Sequence, residues 1–416
     1  TRRHPLRRWE DDRADHAPAT RRQRQAAALR VDLGRHLAAH DLALPDGDTL
    51  RRALAAQPGP ALAAVRAAVA LPGDAELPPR PAHPATVTVT LSTLRAFLES
   101  PLQAWARQVL RLRDVEDEDP VAREDEPLAL DLPQTTGLLR DVFLRWLATP
   151  ARSVREVYGE RIRLLRALGA APVGVFAALD QDHHLEVLRA WQAQLTTAGG
   201  AGGEVAPIGF GRGDRGQPVR IRPPLALAVD LDGAPVTVEL VGSTSPLGHG
   251  VPPCSLVLVA AGEPKLKHAM RGALDQLVMA AAGVAVDAAH ASLVLTPGSS
   301  RRHLHAPWSQ AEARDHLRLL LAELLSGSHD YLLPIEAVAS WCKDRSDPAR
   351  IAGRIRAMRS EQRSGGFARP EGWGPLTSAA GLGPPDDAAA ITARRFEPLL
   401  DRTGNLEGDD AEADDA

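Results

Sequence analysis

Apolar positions recur at helical spacing over much of this chain. Residues 19–41 and 48–70 predict two Ala/Leu/Arg helices, separated by a Pro-Asp-Gly turn at 45–47. Five prolines between Leu71 and Pro84 predict a linker, so a new unit is expected from about residue 86. Thr86 to Thr90 alternates Thr and Val as a short strand does. Ser92 is placed to cap a helix whose apolar face is Leu94, Phe97, Leu98, Leu102 and Trp105, with Pro101 kinking or splitting it. Helices are expected over 135–147, 153–168 and 173–195. The last carries Phe176, Leu179, Leu185, Leu188 and Trp191 near helical spacing.

The period then changes. After a Gly-rich stretch from 196 to 224, two runs, 225–231 and 235–241, are joined by Asp232-Gly233, a hairpin signature. Residues 255–260 are almost continuously apolar, the pattern of a strand buried on both faces. Leu266, Ala269, Met270, Ala273, Leu274, Leu277, Val278 and Ala281 give the cleanest helical period in the chain. A further strand is expected at 292–296. Ser309-Gln310-Ala311-Glu312 is a capping box opening a Leu-rich helix to Leu325. Residues 173–296 therefore spell α-β-β-β-α-β.

Composition narrows the classes. The 416 residues are 44% hydrophobic and 25% charged, an ordinary globular balance. Two cysteines, Cys254 and Cys342, supply neither a zinc cluster nor a disulfide framework, and a reducing, cytoplasmic compartment is expected. No apolar run approaches the roughly 18 residues of a membrane span, so no membrane partner is expected. The start reads Thr1-Arg2-Arg3-His4-Pro5, with no signal-peptide pattern and no initiator Met, which predicts a fragment of something longer. The net charge of −4 is unevenly spread. Residues 1–30 are basic, whereas 115–126 and an expected disordered tail, 403–416, are acidic.

The α-β-β-β-α-β order is the core of the PD-(D/E)xK nucleases, so the fold class expected is α/β, a nuclease-like core with added helices. Such enzymes hold Mg²⁺ with an acid at the end of the second strand and an acid-x-Lys pair on the third. Here the second strand ends in Gly242-Ser243-Thr244-Ser245, and Leu256-Val257-Leu258-Val259 on the third is wholly apolar. Glu263-Pro264-Lys265 matches Glu-x-Lys by letters, but its proline suits a turn. A core without active-site residues, with no catalytic residue and no metal ligand, is the expectation. Gly211-Arg212-Gly213-Asp214-Arg215-Gly216 lacks the strand and helix of a dinucleotide site. Asp182-His183-His184 reads as a solvated helix face, and His303 with His305 as a surface loop. Ser243 and Ser245 have no identifiable base. The DNA-binding candidates are Arg212, Arg215, Arg220 and Arg222, with Phe210 as a possible stacking ring; only Asp214 opposes the four arginines between 205 and 224.

Several segments resemble the C-terminal part of RecC, the gamma subunit of exodeoxyribonuclease V. They are Leu91-Ser92-Thr93-Leu94-Arg95-Ala96-Phe97-Leu98-Glu99-Ser100-Pro101, Asp125-Glu126-Pro127-Leu128, Pro172-Val173-Gly174-Val175-Phe176, Tyr331-Leu332-Leu333-Pro334 with Trp341, and Arg395-Phe396-Glu397-Pro398-Leu399-Leu400. The likeness covers about 88–402. It implies a helicase-like region ending at 1–85, a pseudo-nuclease domain at 86–345 and a helical extension at 346–402. It also implies RecB-like and RecD-like partner subunits, which carry ATP and Mg, and double-stranded and forked DNA as the substrate handled. Two other readings stay open: an active exonuclease subunit of AddB type, and a stand-alone adaptor with a decayed nuclease fold.

Overall fold

The chain was examined as a computed structural model that describes residues 84–108, 127–198, 205–211, 220–231, 233–248, 252–329, 331–345, 347–363, 384–385 and 387–404. The helices expected at 19–41 and 48–70, the linker before Pro84, the acidic block at 115–126 and the tail from 405 lie outside these residues.

Strand β1 (Thr86–Thr90) leads directly into helix α1 (Leu91–Glu99). Thr90, not Ser92, is the N-cap: its hydroxyl accepts the Thr93 N–H at 3.0 Å. The helix begins two residues earlier than its hydroxyl pattern suggested, because the strand delivers Thr90 already extended. Ser100 and Pro101 split the expected long helix, and α2 (Pro101–Gln108) follows. Helices α3 (Leu132–Ala148), α4 (Val154–Ala167) and α5 (Gly174–Thr197) form a layer; α3 and α4 each start with a capping box, from Asp131 and Ser153.

Strands β2 (Val205–Ala206), β3 (Ile208–Phe210), β4 (Arg220–Arg222), β5 (Leu225–Leu231), β6 (Ala234–Ser243), β7 (Leu247–Gly248) and β8 (Cys254–Leu258) come next. Helix α6 (Leu266–Ala281) leads to β9 (His290–Leu295) and β10 (Ser300–His305). Helices α7 (Gln310–Ser326), α8 (Ile335–Cys342), α9 (Ala349–Arg363) and α10 (Ala388–Leu400) complete the described chain.

The expected β5–β6 hairpin is present, with Leu225 opposite Leu240 and Leu231 opposite Ala234. It is not the head of the β-meander that continues to β8, however. That place belongs to β2–β3, inside the stretch read only as Gly-rich. Val205 pairs with Gly248, Ala206 with Leu247, Gly209 with Ser243 and Phe210 with Gly242. Strand 242–248 therefore carries one residue more than its partner, a bulge. Thr244 bridges it: its hydroxyl accepts the Ile208 N–H and its own N–H donates to the Ile208 carbonyl, both at 3.0 Å. Pro207 and Gly209 hide this strand from any alternation pattern.

Two mixed five-stranded sheets result. One has the order β1-β6-β3-β4, with β5 also on β6; the other runs β10-β9-β8-β7-β2. In the second, β8 and β9 are parallel and connected through α6. One face of this pair, Leu256, Leu258, Leu293 and Leu295, packs under α3, α4 and α5. Trp191 anchors that layer; its indole N–H donates to the Val259 carbonyl at 3.2 Å and its ring meets Phe143 edge-on. The N-terminal turns of α5 reach past the core. Phe176 and Leu179, expected on its apolar face, are 47% and 65% exposed. At 24 residues the helix is about 36 Å long, beyond what six-residue strands underneath it cover.

The opposite face holds α6, of which all but Lys267 and Arg271 are buried. Gly272 sets the approach: a Cβ there would lie 2.3 Å from the Ser292 Cβ on β9. The described residues belong to one compact unit, α9 and α10 included.

Candidate nucleic-acid interface

Of the arginine set expected at 212–222, Arg220 and Arg222 lie on β4, exposed, with exposed Ile221 between them. Arg212 and Arg215 lie outside the described residues. Phe210 corrects the stacking expectation. It is 1% exposed, on β3 with the bulged strand beside it, so its ring offers no face to a base. The three-residue strand holds its place by burying both of its large apolar side chains, Ile208 and Phe210.

The other sequence candidates fall apart one by one. Gly262 has φ +81° and starts a turn, Glu263 accepts a hydrogen bond from the Ser299 hydroxyl at 2.9 Å, and Lys265 precedes α6. This is the turn its proline predicted. His183 is exposed, but His184 is buried and bonded to the Tyr158 hydroxyl at 3.0 Å, not solvated. Burial pushes the Tyr158 phenol up to about 12 and depresses His184, so the phenol O–H donates to a neutral ring. His303 and His305 are not in a surface loop. They sit on β10, 1% and 0% exposed, because alternation turns both toward the core.

Sequence reasoning missed Asp275, the one acid on the inward side of α6. It is 1% exposed and accepts hydrogen bonds from Arg95 NH2 (2.8 Å), the Ser245 N–H (3.0 Å) and the Ser255 hydroxyl (3.0 Å). Since Ser255 donates to Asp275, the His290 ring at 2.9 Å must donate to Ser255 through Nε2. The order acid–serine–histidine leaves the serine oxygen unactivated, and Ser255 is 0% exposed, so this is a structural chain. His305 stacks on His290 with centroids 5.9 Å apart. It bonds Ser292 through Nε2 and Thr403 through Nδ1, at 2.9 and 3.0 Å. Burial holds both rings neutral, His290 near 4 and His305 near 3. The one acid on a helix of otherwise apolar period was the available signal, since a buried acid demands a cationic partner.

That partner, Arg95, opens onto a groove of about 470 Å³ between α1, α2, α3, the bulge at 244–246, β8 and the start of α6. Arg95, Arg107, Arg140 and Arg271 line it, against the single carboxylate of Glu99. Arg271 grips Glu99 with Nε and NH2, at 2.8 and 3.1 Å. Arg140 clamps the Leu258 carbonyl at the end of β8 with Nε and NH2, at 2.9 and 2.7 Å. Burial first, then Arg271 and Arg95, lower Arg140 to about 10, while Glu99 opposes them. Thr244, Ser245, Leu256 and Leu258, on and just beyond the strands that border it, also line this groove. A divalent cation does not fit a donor set of arginines and one engaged carboxylate. Among the described residues, no group of three or more His, Cys, Asp or Glu is arranged to hold a metal.

A second arginine centre joins distant segments. Arg395 of α10, 2% exposed, donates to Glu323 and to the Tyr331 hydroxyl, and its guanidinium lies 4.4 Å from the centroid of Phe97. Phe97, Tyr331 and Arg395 come from three of the segments that carry the resemblance to RecC. No helix among the described residues is long and apolar enough to cross a membrane.

A search of curated proteins finds no match. A solved structure described as "Crystal structure of SSO0001" is similar at 11% identity, covering 55% of this chain and 84% of that one. Its TM-score of 0.19 carries no argument about fold or function. The description "RecC C-terminal domain" matches residues 86–346, from β1 through α8 and well over half of the sequence, and the chain belongs to that family.

Proposed function

We propose that this chain is a non-catalytic, DNA-handling and scaffolding part of a RecBCD-type helicase–nuclease in double-strand-break repair. Family membership implies a RecBCD-type subunit in DNA repair. The observation that carries the finer reading is the arginine-lined groove. In this reading residues 205–210, 242–248, 254–258 and 290–295, with α5 before them and α6 between the last two, correspond to the α-β-β-β-α-β order of a nuclease core. Where such a core needs carboxylates, this one presents hydroxyls, leucines and guanidinium groups. Metal-assisted hydrolysis requires anionic ligands to hold the cation, and clustered arginines repel it. In this reading ATP and Mg act in RecB-like and RecD-like partners, and this chain helps part the duplex and guide its strands.

The test has two arms. The chain should co-purify with RecB-like and RecD-like subunits, and alone it should leave linear DNA intact in Mg²⁺ or Mn²⁺. Cleavage abolished by Glu263→Ala or Lys265→Ala would establish an active nuclease of AddB type instead. Failure to associate with either subunit would favour the stand-alone adaptor.

A further inference from the structure

We infer that the groove lined by Arg95, Arg140 and Arg271 binds the phosphodiester backbone of a DNA strand, occupying with phosphate the place a metal site would take. The inference deepens the proposed function and rests on it for the choice of DNA. The anion chemistry itself comes from the groove.

Each guanidinium is anchored on one side only. Arg95 spends NH2 on Asp275 and on the Ser243 carbonyl, Arg140 spends Nε and NH2 on Leu258, and Arg271 spends Nε and NH2 on Glu99. A guanidinium carries five N–H donors, so each keeps donors to offer. Anchoring also lowers the side-chain entropy cost of binding, because these arginines are held before a ligand arrives. Among the described residues the charge is not balanced locally. Asp275 and Glu99 each answer one arginine, and Arg140 is held by a neutral carbonyl. Its depressed proton affinity has burial as the first cause and the two neighbouring cations next, the surroundings that an anion relieves. Ser92 and Ser245 add hydroxyl groups to the same wall, as backbone-phosphate sites commonly do. The groove is open to solvent rather than enclosed, which suits a strand better than a buried small anion.

The experiment uses the full chain and a fluorescent 12-nucleotide oligothymidylate, read by anisotropy at several salt concentrations. Arg271→Gln should weaken binding about three- to tenfold and reduce the salt slope by about 0.7, one phosphate contact on a single strand. Glu99→Gln, which frees Arg271 and removes the one carboxylate lining the groove, should tighten binding by a similar factor. That gain also guards against mistaking misfolding for lost contact. A methylphosphonate strand, uncharged in its backbone, should bind poorly to every variant. Arg220→Ala with Arg222→Ala abolishing binding while Arg271→Gln leaves it unchanged would move the DNA site to β4 and overturn the inference. So would a polyglutamate peptide that binds in an Arg271-dependent way while the oligonucleotide does not. If the chain assembles with its partner subunits yet neither groove variant changes oligonucleotide affinity, the groove proposal fails and the proposed function stands.

Discussion

Two arginine centres lie within this unit, and they handle the same charge in opposite ways. At Arg395 the guanidinium is sealed between Phe97 and Tyr331 and answered by Glu323, which Arg394 also holds. In the groove, Arg95 and Arg271 are about one-quarter exposed, and the cations exceed the carboxylates that face them. A closed, matched arginine works as a rivet between α1, α7 and α10. An open, anchored surplus is poised for a ligand. The side chain is the same; solvent access and the local charge count decide which it becomes.

The contrast breaks first at the rivet. Arg395→Met should cost about 3 kcal/mol in urea denaturation, because Glu323 keeps Arg394 but loses its buried partner and Phe97 loses its cation. A loss below about 1 kcal/mol would mean the cluster is ornamental. Gly272→Ala should come next, at about 2 kcal/mol, since the new methyl group enters the space of Ser292. Adding Ser292→Gly should recover part of the loss, and strict additivity of the two changes would show that they do not meet.

A third prediction concerns pH. Burial depresses His268 and His305 to about 3 and His290 and His316 to about 4, so all four are neutral in the folded chain. Once unfolded, each takes a proton below about pH 6.5. Their contribution is complete above that value and is lost as pH falls toward 4, by about 1.4 kcal/mol per pH unit for each. Tm measured between pH 7 and 5 should fall, and His305→Asn, which keeps a donor toward Thr403, should flatten the fall. A pH-independent Tm across that range would contradict the neutral network. The smallest effect belongs to the groove. Arg271→Gln should change stability by less than about 1 kcal/mol, the worth of a partly exposed pair, while lowering oligonucleotide affinity. Equal damage to stability and binding would erase the distinction between the two centres.

Much of the fold was legible because it depends on local chemistry. The period from Leu266 to Ala281, the Asp232-Gly233 turn and the Ser153 and Ser309 capping boxes are each settled within a few residues of sequence. The first strand of the meander was not legible, because Pro207 and Gly209 erase its alternation and its pairing is fixed by Thr244, 36 residues away. The histidines of β10 were misplaced for a related reason. Ser300 to His305 carries polar letters at inward positions, and the partners Ser292 and Thr403 make His305 acceptable there. The groove was illegible altogether. Arg95, Arg140 and Arg271 stand on three helices, each at an ordinary polar position, and Glu99 reaches Arg271 across 172 residues. Within the arginine set at 212–222, local charge density pointed to a loop and could not show that Phe210 turns inward.

The bond between His305 and Thr403 has a consequence for how the polypeptide is made. Synthesis runs from the amino end, so β1, α1 and the sheets leave the ribosome well before α10 does. Until then Phe97 lacks its guanidinium cover, Glu323 lacks two cations and His305 lacks the Thr403 hydroxyl. Among the described elements α10 emerges after all the others, and it is the one that closes the unit. A premature stop before residue 388 would thus release a chain with every strand present and its interior unsealed, a substrate for chaperones and proteases rather than a shortened working domain.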